Sequence, residues 1–193
     1  MPTVFSHGIA AAAMGKVFAS GRTPLRFWVL SILCAMLPDV DALGFALGIR
    51  YGDMLGHRGL THSLFFAALV SVLVVAAFFR RDTLSSAVTN ERLAGFQFSS
   101  GRIVLIVYFF LVTASHGILD ALTNGGLGIA FFAPFSSTRY FFPWRPIEVS
   151  PIGFDFFSSA RTMGVILSEI EWIWIPSAVI MAAAQFRRTI YKR

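Results

Sequence analysis

The chain has four histidines in 193 residues; three stand directly beside a serine or threonine, and the fourth, His57, precedes Arg58. They fall in "SHG" at 6–8, "HRGLTHS" at 57–63 and "SHGILDALTNGG" at 115–126, while "LPDVD" at 37–41 adds two acids. Neutral imidazole and carboxylate are the ligands of zinc and related divalent metals, and one carboxylate can bridge two ions. His116 and Asp120 are four apart and share one helical face. His57 and His62 are five apart, which suits a loop residue and a helix-start residue converging from two directions. Asp39 and Asp41 both face a common point only if the backbone after Pro38 is extended or distorted. The candidate ligands are therefore His7, Asp39, Asp41, His57, His62, His116 and Asp120.

Arg58 offers either a surface charge or a forked guanidinium for a phosphate oxygen beside the metal. Ser6, Thr61, Ser63, Ser115, Thr123 and Asn124 flank these groups, where they could orient the ligands or cap helix ends. Taken one at a time the candidates have ordinary readings: an interfacial histidine, solvated helix-end acids, a hydrogen-bonded His116–Asp120 pair. Ionisable residues gathered in one layer of an apolar chain point to function. A Ser-His-Asp hydrolase is the rival catalytic reading. The G-x-S-x-G elbow, the P-loop and the dinucleotide fingerprint are all missing from the sequence.

The elements that must hold this layer are membrane helices. Hydrophobic residues make up 56% of the chain and charged ones 13%, with 21 Phe, and the mean hydropathy is +0.70. That is far from the roughly one-quarter charged composition of soluble domains. Apolar stretches at about 25–47, 62–79, 103–122 and 171–186 each approach the ~20 residues that span a hydrocarbon core. A fifth, 4–19, is short and rich in Ala and Gly, suited to close packing inside a bundle. Its start lacks a basic region, so it reads as a retained helix and not a cleaved leader. The expected fold is all-α: one polytopic bundle over 1–193, of four to five membrane helices. A polar connection spans 80–102. The Gly-, Pro- and aromatic-rich segment 123–170 reads as an interfacial loop or lid, and 171–193 as the last helix with a basic tail. Pro38 should bend or end the helix that contains it. The single cysteine, Cys34, excludes an intramolecular disulfide or Cys-based site and reads as a buried apolar residue.

The net charge of +6 is distributed as in a membrane protein and not as in a nucleic-acid binder. One side of the bundle gathers Lys16, Arg22, Arg26, Arg80, Arg81, Arg92, Arg102, Arg187, Arg188, Lys192 and Arg193, eleven basic residues against Asp82 and Glu91. The other side holds five basic residues, Arg50, Arg58, Arg139, Arg145 and Arg161, against the remaining eight acids. The positive-inside rule makes the first side cytoplasmic, placing the N-terminus and the His/Asp layer outside and the C-terminus inside.

The four motifs, in order through residues 1 to about 130, resemble those of the YdjM-like family of membrane-bound, metal-dependent hydrolases. That family is grouped distantly with zinc-dependent phospholipase C and single-strand nucleases. The resemblance implies a helical, phospholipase C-like bundle with His7, Asp39 or Asp41, His57, His62, His116 and Asp120 as ligands. The His116/Asp120 pair looks like the H-x-x-x-E or H-x-x-x-D pair of those enzymes. Four histidines are fewer than a three-metal site generally uses, so one or two ions, zinc first and manganese next, accord better with this sequence. The final third carries no motif that transfers.

The leading expectation is an integral membrane enzyme of the bacterial inner-membrane type. It would hydrolyse a phosphoester, a lipid headgroup or lipid-linked phosphate, at the outer interface. Metal would make hydroxide available near neutral pH. Arg58 would hold the phosphate, and whichever of Asp39 and Asp41 is not a ligand would serve as general base. Its partners would be membrane lipids, with no nucleic acid; the sequence is silent on oligomeric state. The first rival is a non-enzymatic scaffold or regulator in which metal or a His/Asp network ties helix ends together. The second is a metal transporter, which would want ionisable residues at several depths.

Overall fold

A computed structural model describes residues 1–19, 23–79, 100–151 and 160–190. Most of the basic clusters counted above, namely Arg22, Arg80, Arg81, Arg92, Lys192 and Arg193, lie outside the described residues, as do Asp82 and Glu91. The architecture is all-helical: α1 (Val4–Phe18), α2 (Leu25–Met36), α3 (Leu64–Phe78), α4 (Ser100–Ala121), α5 (Thr162–Glu169) and α6 (Ile175–Ile190). A five-residue π turn, Ile170–Trp174, joins α5 and α6 into one 29-residue rod, Thr162–Ile190. Among the described residues, three segments are long and apolar enough to cross a membrane: Leu25–Leu47, Gly101–Ala121 and Thr162–Ile190. Helices α1 and α3 are shorter apolar companions.

Pro38 acts as expected. The α-helical turn ends at Met36 and the chain tightens into a 3₁₀ segment, Leu37–Leu47, that ends on Gly48 in the left-handed region. Helix α3 begins at Leu64, later than the hydropathy predicts, because Ser63 caps it by accepting a hydrogen bond from the Phe66 amide. His62 therefore sits not in the helix but in a short 3₁₀ turn, Leu60–His62, before it.

The larger correction concerns the last helix, which starts at Thr162 and not near 171, so the end of the expected loop 123–170 is helical. Glu169 and Glu171 interrupt the apolar run there and hide the helix from a hydropathy reading. The π turn lies just before Pro176, whose missing N–H and bulky ring disturb the hydrogen bond and carbonyl four residues back. In the rest of 123–151, irregular chain is pinned by isolated bridges, Thr123 with Ile147 and Ile129 with Tyr140.

The core runs through the middle of the helices. Phe27, Phe109, Val112 and Tyr108 are buried where α2 meets α4, with Ala11 of α1 and Val70 and Val75 of α3 around them. The Tyr108 hydroxyl donates to Ser31, which donates to the Phe27 carbonyl, so the polar tip of a buried aromatic is satisfied. With this apolar packing below, the polar residues of the helix ends form a separate layer above.

Candidate metal centre

Each ligand candidate except His57, which lies in the 49–59 loop, is presented by a helix end or the turn beside it. The first turns of α1 carry His7, the 3₁₀ segment after α2 carries Asp39 and Asp41, the turn before α3 carries His62, and the last turns of α4 carry His116 and Asp120. His7, His57, His62, His116 and Asp120 are all 3% exposed or less, and Asp39 is 9% exposed.

Four ligand atoms, one each from Asp39, His62, His116 and Asp120, lie within 4.8 Å of one another. The two imidazole Nε2 atoms of His62 and His116 are 3.1 Å apart. Asp39 Oδ1 stands 3.2 Å from His116 Nε2 and 3.7 Å from His62 Nε2, and Asp120 Oδ2 stands 3.6 Å from His62 Nε2. Ligands held about 2.1 Å from a tetrahedral ion are roughly 3.4 Å apart, so these separations are those of a coordination shell.

Hydrogen bonding on the far side of each ring supports the same reading. His116 Nδ1 lies 2.7 Å from the Ala35 carbonyl, which can only accept, so Nδ1 carries the proton and Nε2 presents a lone pair. His62 Nδ1 lies 3.1 Å from Asp41 Oδ2, which fixes it in the same sense when the ring is neutral. Two lone pairs would then face each other across 3.1 Å beside two carboxylates, a repulsion that a proton on one ring or a metal ion between them relieves. Both oxygens of Asp39 and of Asp120, and both nitrogens of His7, are buried without a hydrogen-bond partner. Three carboxylates, Asp39, Asp41 and Asp120, face one buried guanidinium, Arg58, an excess of acid that protons on the histidines or a metal ion would offset. The residues present fit a metal.

Of the two acids that the sequence leaves open, Asp39 lies among the four and Asp41 stands behind His62. Asp41 Oδ1 is 2.6 Å from His57 Nδ1, and Oδ2 accepts from the Thr61 hydroxyl at 2.5 Å. A separation of 2.6 Å is that of a charge-assisted hydrogen bond, and Asp41, His57 and His62 also form a second group whose ligand atoms lie within 4.8 Å of one another and could hold an ion of their own. His57 thus reaches the centre through Asp41 and His62, with its Nε2 buried and unpartnered. His7 adjoins the four: its ring stacks on His116 at 3.8 Å, and its Nε2 is 3.5 Å from Asp120 Oδ1.

Arg58 is fully buried and its donors point inward: Nε lies 3.1 Å from Asp120 Oδ2, while the terminal nitrogens donate to the Gly125 carbonyl and to Thr123 Oγ1. Its backbone is left-handed, φ +65°, a costly conformation for a long side chain that clusters at functional sites. Gly59 next to it has an ordinary φ of −89°. It is needed for space, since a Cβ there would collide with the carbonyls of Met54 and Gly56. Gly126 serves the guanidinium in the same way: an added Cβ would lie 2.5 Å from an Arg58 terminal nitrogen.

The hydroxyl and amide candidates divide. Thr61 and Thr123 touch site residues as described. Ser63 caps α3 and Ser115 bonds back to the Val112 carbonyl, both local backbone contacts, while Asn124 accepts from the Val149 amide 25 positions away and ties the two ends of the 124–149 segment together. Ser6 turns away from the four, donating to Glu169 at 2.6 Å and accepting from Trp174 Nε1 at 2.7 Å.

Two residues absent from the sequence reading matter here. Glu169, 1% exposed, accepts from the Thr3 amide and hydroxyl and from Ser6, and so grips the start of the helix that presents His7. Arg139 donates to the carbonyls of Tyr51, Asp53 and His57, clipping the 49–59 loop in place. An acid in an apolar helix was a readable signal for Glu169; nothing in the sequence around Arg139 distinguishes it.

Helix ends converging on a buried His/Asp cluster that could hold a metal ion, on a scaffold of membrane-length apolar helices, define an integral membrane protein with a candidate metal centre. The chain belongs to the YdjM inner membrane protein family, whose sequence profile matches residues 1–192. It is 35% identical over 188 residues to inner membrane protein YbcI of Escherichia coli (strain K12), covering 97% of this chain and 99% of that protein. No solved structure matches the chain.

Proposed function

We propose that the protein is a membrane-embedded, metal-dependent hydrolase acting on a phosphoester at the membrane interface, with a lipid headgroup or lipid-linked phosphate as substrate. The observation that carries the reading is the facing pair of Nε2 atoms, His62 and His116, set between Asp39 and Asp120. Those four residues would hold the metal, with His7 beside them on Asp120. A divalent ion in such a cluster polarises a phosphoryl oxygen and lowers the pKa of water to near neutrality.

The chain's own residues supply the rest. Asp41 and the Ala35 carbonyl hold the two histidines in the ligating tautomer. Arg58 fixes one oxygen of Asp120, so its contribution to phosphate binding runs through that carboxylate. Asp39, 9% exposed, is the least buried of the four, so a substrate oxygen would approach past it. Zinc is the first candidate and manganese the second, from the mixed nitrogen and oxygen donor set.

The near-complete burial of His116 and Asp120 favours a second reading, a structural ion that ties helix ends together without turnover. One experiment separates the two. Purified protein is analysed for metal and assayed against p-nitrophenyl phosphate and lysophosphatidic acid, alongside His62→Ala and His116→Ala. The hydrolase reading expects stoichiometric metal and hydrolysis that both variants lose by about 100-fold or more. Stoichiometric metal with no hydrolysis by the parent protein, and only a lowered melting temperature in the variants, selects the structural ion.

A further inference from the structure

A cavity of about 420 Å³ lies between α1, α2 and the π turn. Val4, Gly8 and Ala12 form one wall, Ile32 and Met36 the other, and Trp174 closes one side. Residues four apart share a helical face, so Val4, Gly8 and Ala12 line a trough about 12 Å long at 1.5 Å per residue. No polar side chain other than the Trp174 indole contributes to the lining, and that N–H is turned to Ser6. The volume falls within the ~300–1,000 Å³ of small-molecule sites.

The trough is joined to the metal centre by the backbone. Gly8 follows His7, and Met36 lies three residues before Asp39, so both walls begin at the His/Asp layer and run from it toward the apolar middle of the bundle. The third side is built at some cost. In a regular α-helix Glu169 and Trp174, five apart, point to different faces; the π turn hydrogen-bonds at that same spacing and brings both to Ser6. π turns are rare and recur at functional sites, and this one places an aromatic ring along a channel that would otherwise be open on that side.

We propose that this trough binds a hydrocarbon chain of a membrane lipid, with the lipid's polar head toward the metal centre. An all-apolar groove flanked by membrane-length helices offers nothing to a polar ligand, and along α1 and α2 its walls start within one helical turn of His7 and Asp39. Gly8 sets the floor: a Cβ there would meet Ile32 at 3.6 Å, ordinary van der Waals contact, so α1 and α2 close against each other beneath the trough. That the bound lipid is also the substrate rests on the hydrolase reading; that a chain occupies the trough does not.

The test uses the full chain in nanodiscs of dioleoyl phosphatidylglycerol doped with a small fraction of dibromostearoyl lysophosphatidylglycerol. Tryptophan quenching is measured, and the Trp174 share is isolated by comparison with Trp174→Phe. The expected result is at least twofold more quenching of Trp174 than the dopant fraction alone produces, abolished by Ala12→Phe, which fills the trough. Ile32→Phe narrows it from the other wall and should act likewise should Ala12→Phe misfold. Quenching that follows the dopant fraction alone and ignores both variants is ordinary lipid contact and overturns the proposal.

Where hydrolysis is found, Ala12→Phe should raise KM for a long-chain lysophosphatidic acid by about tenfold, the loss of two buried methylenes. It should leave p-nitrophenyl phosphate turnover unchanged. Equal KM values for the long-chain substrate in parent and variant would also overturn the trough while leaving the hydrolase standing. Quenching that behaves as expected without any hydrolysis would overturn the hydrolase and leave the trough.

Discussion

Among the individual side chains, His62 carries the most linked chemistry, since it touches Asp39, Asp41, Asp120 and His116. Burial alone disfavours its imidazolium, but the neighbouring carboxylates of Asp120, Asp39 and Asp41 carry its pKa from 6.5 up to about 10 in the metal-free protein. A proton on Nε2 then stands where a metal ion would sit. The raised value has a definite sign: the proton stabilises the metal-free fold fully below pH 6.5, and that stability is lost as pH rises through about 10. Metal must displace the proton, so apparent affinity should rise about tenfold per pH unit over the same window. Calorimetric titration in buffers of different ionisation enthalpy should find close to one proton released per ion at about pH 8. The melting temperature of chelator-treated protein should fall across that window while that of metal-loaded protein holds. No proton release, or equal pH profiles, would show that His62 is not a ligand.

The same residues mark how far the sequence could be read. The ligand types, the four-residue spacing of His116 and Asp120 and the break at Pro38 were all legible, because they depend on chemistry and helical period. Which of Asp39 and Asp41 faces the cluster was not. Two acids on a 3₁₀ segment are separated by its local twist, and that twist follows from how Leu37–Leu47 packs under His57 and Thr61. The inward aim of Arg58 was equally hidden, since it depends on Thr123 and Gly125, more than sixty positions away in the chain.

Between elements, the decisive pairing is that of the rod Thr162–Ile190 with α1, which it holds at both ends. Glu169 accepts from the Thr3 amide at the N-terminal end, where backbone N–H groups and the helix dipole favour an anion. Arg188 donates to the Lys16 and Ala19 carbonyls at the other end, where a cation is favoured. The sequence hid this pairing because a helix that sets its acid among Ile, Leu and Trp looks like two short segments to a hydropathy window. Glu169→Gln replaces an acceptor-only carboxylate with a group that also donates, and so breaks one of the contacts to Thr3 or Ser6. The expected loss is about 1.5–3 kcal/mol, the range for hydrogen bonds to charged groups. It should appear as a lower melting temperature and faster metal loss to chelator, because His7 is one residue from Ser6. Glu171→Gln is the control, since Glu171 is exposed on the same rod, and it should change neither. A Glu169→Gln protein with parental metal retention would detach the C-terminal rod from the metal centre.

For the molecule as a whole, orientation decides which compartment the metal centre meets, and the charge distribution makes a prediction. Eleven basic residues against two acids mark one side, and five against eight mark the other. Lys and Arg near span ends set topology because they resist translocation. The structure puts His7, Glu169, Asp39 and Asp120 at one end of the bundle, and the contact of Arg188 with Lys16 and Ala19 at the opposite end. These contacts place Arg188 and the end of α1 opposite the His/Asp layer and leave the compartments to be assigned by charge. Green fluorescent protein fused after Arg193 should therefore fluoresce, while alkaline phosphatase fused there should be inactive. In a Cys34→Ala background, Ser137→Cys, on the exposed loop beside Phe135, should react with a membrane-impermeant maleimide in spheroplasts. The buried Cys34 should not compete in the parent chain. Active alkaline phosphatase at the C-terminus, together with a Ser137→Cys variant protected from the maleimide, would invert the bundle. The metal centre would then face the cytoplasm, and candidate substrates would have to come from the inner leaflet.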